Sequence, residues 1–316
     1  MDRNLALEFV RVTEAAAIAA ARWVGRGEKN KADGAAVDEM RKRFNYVDFK
    51  GTVVIGEGEK DEAPMLYTGE KVGTGRGPEM DLAIDPLECT DSVAHGRFNA
   101  MAVIAAGSPK SLLHAPDTYM DKLATGPKAG KVIDLEDSVT GNIKKAAKAI
   151  GKDVREITIM MLDRERNYPI MTEARAVGAR VRLITDGDVA AAIATCIPES
   201  GIDLLMGSGG STESVLAAVA LKILGGEMLS RFRPKKESDI GKIKAMGIKN
   251  LKKIFTADDI AHGNQLTFTA TGVIDGPLLQ GVVFKENKLI THSIVMRAQS
   301  KTIRYLTTHH HLHQVK

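Results

Sequence analysis

Acidic side chains crowd one short stretch of this chain, Asp81-Leu-Ala-Ile-Asp85-Pro86-Leu87-Glu88-Cys89-Thr90, where a largely apolar run ends in two carboxylates, a proline and a hydroxyl. Hard divalent cations prefer oxygen ligands, and two of them side by side grip both the attacking and the leaving oxygen of a phosphoryl group. Such chemistry needs further acids and a hold on phosphate, and several places offer them. Glu57 lies between Gly56 and Gly58 after an apolar run. A solvated loop acid would explain it, yet flanking glycines also let backbone approach a ligand closely. Asp33 precedes a helical pattern, and capping alone accounts for it. Glu213 follows Gly207-Ser-Gly-Gly210 and opens a helical stretch, where interaction with the helix dipole is the plain account. Asp186-Gly187-Asp188 follows an apolar run at the place where α/β sheets put ligands, although Asp188 would equally cap the next helix. Arg164 and Arg166 follow another such run. Planar guanidinium groups suit a phosphate dianion, but ordinary surface loops carry arginines too.

The elements that must carry these residues follow from periodicity. Leu5, Phe9, Val12, Ala16, Ala19 and Trp23 recur at spacings of four and three, the stripe of a long amphipathic helix stopped by Gly25 and Gly27. A second helix is expected after Asp33, with Val37, Met40 and Phe44 on one face, and a short buried strand at 52–55. Apolar runs at 80–84, 100–106, 157–162, 181–184 and 202–206 alternate with helical patterns, which argues for α/β packing around mostly buried strands. The glycine run 207–210 lacks the Gly-Lys-Ser/Thr ending of a nucleotide loop and reads as an anion nest at a helix start. Gly73-Thr-Gly75-Arg-Gly77 misses the dinucleotide spacing and reads as a turn. From Arg231 to Lys253 the chain turns basic and loses periodicity, then resumes strand-like runs at 266–270 and 289–295. His309-His310-His311-Leu-His313 leaves a metal-binding tail or a tag remnant open.

Composition limits the partners. With 316 residues, 44% of them apolar, the chain can bury a large core as one α/β unit or two lobes. Basic residues outnumber acidic ones only by 44 to 40, and aromatics are 4%, so neither a polyanion-binding surface nor base-stacking platforms are indicated. Neither nucleic acid nor a membrane is an expected partner; a small phosphorylated anion is. Cys89 and Cys196 are too few for a disulfide framework, and there is no long apolar run, which together suggest the cytoplasm.

Taken jointly, these residues resemble the class II fructose-1,6-bisphosphatases, the bacterial type within the lithium-sensitive sugar and inositol phosphatase superfamily. The likeness runs through Arg11-Val-Thr-Glu14, Gly25-Arg-Gly27, Ala32-Asp33, the stretch 51–59, Asp61 to Tyr67, Gly69 to Gly73, Ala115-Pro-Asp117, Tyr119-Met120 and Asp186 to Ala190. Weaker likeness follows at Ala270-Thr-Gly272 and Lys301 to Arg304. The resemblance implies a layered α/β/α/β/α sandwich, with residues 1–150 as a metal- and phosphate-binding lobe and 151–316 as a substrate-binding lobe. It implies Mn²⁺ or Mg²⁺ held by Asp33, Glu57, Asp85, Glu88 and Glu213. Thr90, with Glu57 at the reacting centre, matches the hydroxyl that orients the attacking water. Glu88, Cys89, Thr90, Tyr119, Arg164, Arg166, Asp186, Asp188 and Gly210 match positions that hold a sugar bisphosphate. The implied reaction removes the 1-phosphate of fructose 1,6-bisphosphate, and the implied assembly is a homodimer or homotetramer.

Three departures mark this chain. The family's Asp-Pro-x-Glu-Gly-Thr becomes Asp85-Pro-Leu-Glu-Cys89-Thr90. If that position needs a positive φ, cysteine costs on the order of 1–2 kcal/mol; a helical conformation would tolerate it. Gly210-Ser-Thr-Glu213 replaces Gly-Ala-Pro-Glu, and Arg164-Glu-Arg166 replaces Lys-Pro-Arg. A preference for sedoheptulose 1,7-bisphosphate or an inositol phosphate, or a catalytically impaired sugar-phosphate binder, stand as alternatives.

Overall fold

The structure, a computed structural model, describes residues 5–58 and 65–311. In chain order the elements are α1 (Leu5–Ala21), α2 (Lys29–Phe44), β1 (Lys50–Ile55), β2 (Lys71–Val72), β3 (Glu79–Glu88), α3 (Thr90–His95) and β4 (Ala100–Gly107). There follow β5 (Tyr119–Thr125), α4 (Val139–Ile150), β6 (Thr158–Leu162), α5 (Tyr168–Ala176), β7 (Arg180–Ile184) and α6 (Asp188–Ala194). Next come β8 (Leu204–Gly210), α7 (Ser211–Leu224), β9 (Glu227–Phe232), α8 (Glu237–Ala245) and α9 (Ala257–Ile260). The chain closes with β10 (Thr267–Ile274), β11 (Val283–Lys285), β12 (Lys288–Arg297) and β13 (Thr302–His311).

Two compact units divide the chain, one comprising residues 1–112 and 264–316, the other 113–263. The expected split near residue 150 therefore gives way to a different one. The reason is strand pairing: β10 lies antiparallel to β4, and β12 and β13 continue outward from it, so the C-terminal stretch joins the N-terminal sheet. Each unit sets a mixed sheet against helices, consistent with the layered α/β sandwich expected.

In the first unit the order is β11-β12-β10-β4-β3-β1-β2, with β13 on the outer side of β12. Only β1 and β3 run parallel. The alanine-rich face of α1 (Ala16, Ala17, Ala20) comes close to this sheet, and Phe9 meets Phe44 of α2 and Phe49 at centroid distances of 6.3 and 5.3 Å, both edge to face. On the other flank of α1, Thr13 and Ser293 both bond the Thr271 hydroxyl at 2.8 Å, so three buried hydroxyls satisfy one another. The His-rich end is part of this sheet: His310 Nε2 lies 2.9 Å from Thr291 Oγ1, which also donates to buried Glu14 at 3.0 Å. His313 lies outside the described residues.

In the second unit the order is β7-β6-β8-β5-β9, with β6 parallel to β7 and β8 and β5 antiparallel to both neighbours. Helices α4 and α5 share a core with Leu123, Ile159, Met161, Leu204 and Met206, while α6 and α7 pack on each other and on β8. Strand β7 is an edge and mostly exposed, not buried as its apolar run suggested. The glycines 207–210 belong to β8 and form no nest; Gly210 merely caps α7. No helix among the described residues is long and apolar enough to cross a membrane.

Candidate active-site clusters

The first unit gathers acids at one end of its sheet. Strands β1 and β3 are parallel, with Ile55 opposite Ala83 as their last pair, so Glu57 and Asp85 each lie two residues past it, Glu57 beyond the carboxyl end of β1. Ligands of α/β proteins bind at such ends. Asp85 and Glu88 are not beyond β3 but in it. Opposite β4, Asp85 pairs with Val103 and Glu88 with Met101, so three steps on one strand face two on the other. That is a bulge of one residue, at Pro86-Leu87, where proline has no ladder donor to lose. Side chains three apart on a regular strand point to opposite faces; the extra residue restores parity and turns both carboxylates to the same face. The Asp85 carboxylate also accepts from the Leu87 amide at 3.0 Å, which braces the bulge.

Asp33 sits inside the first turns of α2 and does not cap it; the cap is Glu28. Its pKa is pushed up by burial, against the pull of Lys29. Glu57 is pushed up to about 7 by burial and then by the charge of Asp33, so these two acids face one another's fields. Gly56 is required for a different reason than expected: a Cβ there would lie 2.0 Å from the Leu66 carbonyl, which accepts from the Glu57 amide at 3.0 Å. The glycine admits backbone, and that contact sets Glu57. Cys89 takes the left-handed conformation, φ 79° and ψ 51°, and Thr90 is the first residue of α3. The strained alternative thus holds. Among the described residues no three His, Cys, Asp or Glu side chains converge tightly enough to hold an ion. The donors are all carboxylate oxygens, and two of them already resist ionisation; such a set fits a hard divalent cation, which would favour their charged forms.

The second unit gathers cations around Tyr119. This residue opens β5 directly opposite Gly210 of β8. The Arg166 guanidinium lies 4.8 Å from the Tyr119 ring centroid, and its Nε donates to the Ser208 carbonyl at 2.9 Å. Lys235 Nζ lies 3.4 Å from the same centroid. Arg164 donates to the Asp163 carbonyl at 3.0 Å, and its charge, after burial, helps push the Arg166 pKa down. Asp188 begins α6, capped by Gly187 at φ 83° instead of capping it. Its carboxylate is buried and pairs with Lys122 Nζ at 2.7 Å; burial nevertheless raises its pKa, and Glu213 adds to the rise. Gly209 makes room for this pair, since a Cβ there would lie 2.0 Å from Asp188 Oδ2. Gly210 does the same for Glu213, whose Oε2 would be 1.9 Å from a Cβ. Asp186 is half-buried in the bend between β7 and Gly187.

Tyr119, Arg164, Arg166, Asp188, Gly210 and Glu213 are thus brought together in one unit, and Asp33, Glu57, Asp85, Glu88, Cys89 and Thr90 belong to the other. Sequence reading missed Lys29, Lys122, Asn167 and Lys235. Asn167, almost wholly buried, accepts from the Ser208 amide at 2.9 Å and donates to the Leu162 carbonyl at 3.0 Å, tying the arginine loop to β8. Nothing local marks it; its partners are 41 and 5 residues away.

Acids beside parallel strands in one unit, and cations about an aromatic ring in the other, suit an enzyme that handles phosphate esters, and the relatives make the chain a phosphatase of mixed α/β build. The family model described as bacterial fructose-1,6-bisphosphatase, glpX-encoded, matches residues 3–310. The fructose-1,6-bisphosphatase 1 class 2 of Escherichia coli K12 is 45% identical over 99% of this chain and 96% of its own length. A class 2 fructose-1,6-bisphosphatase of Shigella flexneri shows the same identity and coverage. The chain belongs to this family, whose members are metal-dependent phosphatases of gluconeogenesis.

Proposed function

We propose that this protein hydrolyses the 1-phosphate of fructose 1,6-bisphosphate to give fructose 6-phosphate and inorganic phosphate, with Mn²⁺ or Mg²⁺ as the ion. The observation that supports the reading is that Glu57 and Asp85 each follow by two residues the last pair of the parallel strands β1 and β3, with Glu88 brought to the Asp85 face by the bulge. Asp33, Glu57, Asp85 and Glu88 would hold the ions; Glu213 joins them on the family resemblance alone. Bound there, a hard divalent cation supplies charge neutralisation at the phosphate and a lowered pKa for its water. Thr90 orients the attacking water through its hydroxyl. Arg164, Arg166 and Tyr119 hold the phosphate that stays, Asp186 and Asp188 face the sugar, and Gly210 lets the chain come close. Losing the retained-phosphate grip should raise KM more than it lowers kcat.

The test is phosphate release from fructose 1,6-bisphosphate, sedoheptulose 1,7-bisphosphate and an inositol monophosphate, each titrated with Mn²⁺ and Mg²⁺. Fastest turnover of the fructose ester supports the reading, and a clear preference for either other substrate refutes it. A cytoplasmic location and a homodimeric or homotetrameric assembly belong to the same proposal. Light scattering after gel filtration checks the assembly.

A further inference from the structure

Two cations of the second unit, Arg166 and Lys235, stand on the Tyr119 ring without a carboxylate ion pair among the described residues, and the charge of Arg164 acts on Arg166. Their neighbours are different. Lys122 is neutralised by Asp188, Arg233 by Asp121 at 3.1 Å, and Arg231 by Glu136.

Lys235 is held there by a built segment. The Arg233 amide donates to the Tyr119 carbonyl at 2.8 Å, which carries the β5–β9 pairing one step past β9. The Lys235 and Lys236 amides both donate to Asp239 Oδ2, at 2.8 and 3.0 Å, in the box that starts α8. The backbone before Lys235 is thus tied to the start of β5 and that at and after it to the start of α8, and its ammonium comes to rest 3.4 Å from the ring centroid. An exposed cation on an aromatic face gains little, and a second cation on the same ring takes part of that back by repulsion. The arrangement is favourable once an anion enters, and a phosphate ester dianion has the charge and the acceptor oxygens to bridge a guanidinium fork and an ammonium.

We infer that Lys235 is a third cation for the phosphate that the enzyme retains, acting beside Arg164 and Arg166. The inference rests on the proposed reading of those arginines and of Tyr119. Lys235→Met is expected to raise KM for fructose 1,6-bisphosphate about tenfold with kcat within threefold of wild type, and to leave the melting temperature unchanged because the side chain is exposed. With fructose 1-phosphate, which lacks the retained group, the variant and the wild type should give the same KM. Lys235→Arg should recover most of the loss. Calorimetric binding of fructose 6-phosphate, the product that keeps this phosphate, should weaken about tenfold in the methionine variant.

An unchanged KM for the bisphosphate, or an equal rise for fructose 1-phosphate, overturns the inference; the second result would make Lys235 a prop for the tyrosine ring. If the wild type hydrolyses neither ester, the proposed function fails, and fructose 6-phosphate binding still decides the role of Lys235. Equal affinity in both proteins, or no binding to the wild type, overturns it.

Discussion

Replacing Glu57 by glutamine in protein freed of divalent ions tests whether this acid is held where a cation is needed. Burial and the Asp33 charge move its pKa from the ordinary glutamate value of 4.5 to about 7. At ~1.36 kcal/mol per pH unit, ionising it in the folded protein costs on the order of 3 kcal/mol. The sign follows from linkage. The folded pKa is the higher, so the protonated acid favours folding fully below pH 4.5, and that advantage is lost as pH rises through 7. Metal-free wild type should therefore lose stability between about pH 5 and pH 8, while Glu57→Gln, which has no charge to bury, should lose much less. At pH 8 the variant should melt above the metal-free wild type by roughly 6–12 °C in the transition of the first unit, at ~2–4 °C per kcal/mol. At pH 5 the two should agree. Adding Mn²⁺ should reverse the order at pH 8, because the cation restores the charged carboxylate in the wild type and finds one ligand fewer in the variant. Differential scanning calorimetry at both pH values, with chelator and with Mn²⁺, reads all four cases. A metal-free glutamine variant that melts no higher than wild type at pH 8 refutes the electrostatic reasoning, and an undiminished Mn²⁺ shift refutes the ligand role.

Three further outcomes are expected. Cys89→Gly relieves a left-handed residue worth about 1–2 kcal/mol, but adds chain entropy worth about 0.4–1 kcal/mol and gives up a buried side chain worth about 1 kcal/mol. Its melting temperature should stay within roughly 3 °C of wild type, with kcat equal or higher, and a fall in kcat would contradict the family comparison at this position. Gly56→Ala drives a Cβ into the Leu66 carbonyl, so urea unfolding should show a loss of about 1–3 kcal/mol, and phosphatase activity should fall with it as Glu57 shifts. Thr90→Ala should lower kcat by on the order of 10²-fold with circular dichroism unchanged, whereas Thr90→Ser should keep most activity; wild-type kcat in the alanine variant would remove the hydroxyl from the mechanism.

The features legible in the sequence were those with local periodicity. The α1 stripe and the strands near 52–55, 80–84, 100–106 and 157–162 fall where the pattern puts them, because burial on one face leaves a repeating trace. Strand β5 escaped because Asp121 and Lys122 interrupt its apolar run; Lys122 is tolerated inside only through a carboxylate 66 residues away. Strand β13 escaped because it is an exposed edge whose polar residues carry no burial signal. The helix start at Lys29, ahead of Asp33, carries no side-chain capping bond to announce it. The glycines of β8 were read as an anion nest, yet they lie in a strand, and Gly209 leaves room for the buried Asp188 carboxylate, a neighbour distant in sequence. The pairing of β10 with β4, which moves the C-terminal strands into the first unit, is likewise a matter of register between distant segments.

The two clusters share an energetic logic that explains their odd features. In one unit, half-buried acids repel each other and hold protons against their normal preference; in the other, two cations share one aromatic ring with no ion pair of their own among the described residues. The first arrangement costs the unliganded fold stability, the second gains it little, and each would be favoured by a ligand of opposite sign: cations for the first, a phosphate dianion for the second. A chain selected for stability alone would pair these groups as it pairs Lys122 with Asp188, so the unpaired charges are where the proposed ligands would bind. The same reasoning sets a further expectation, that Mn²⁺ and fructose 6-phosphate raise thermal stability separately, each through its own unit, and that Glu57→Gln abolishes most of the first effect while Lys235→Met weakens only the second.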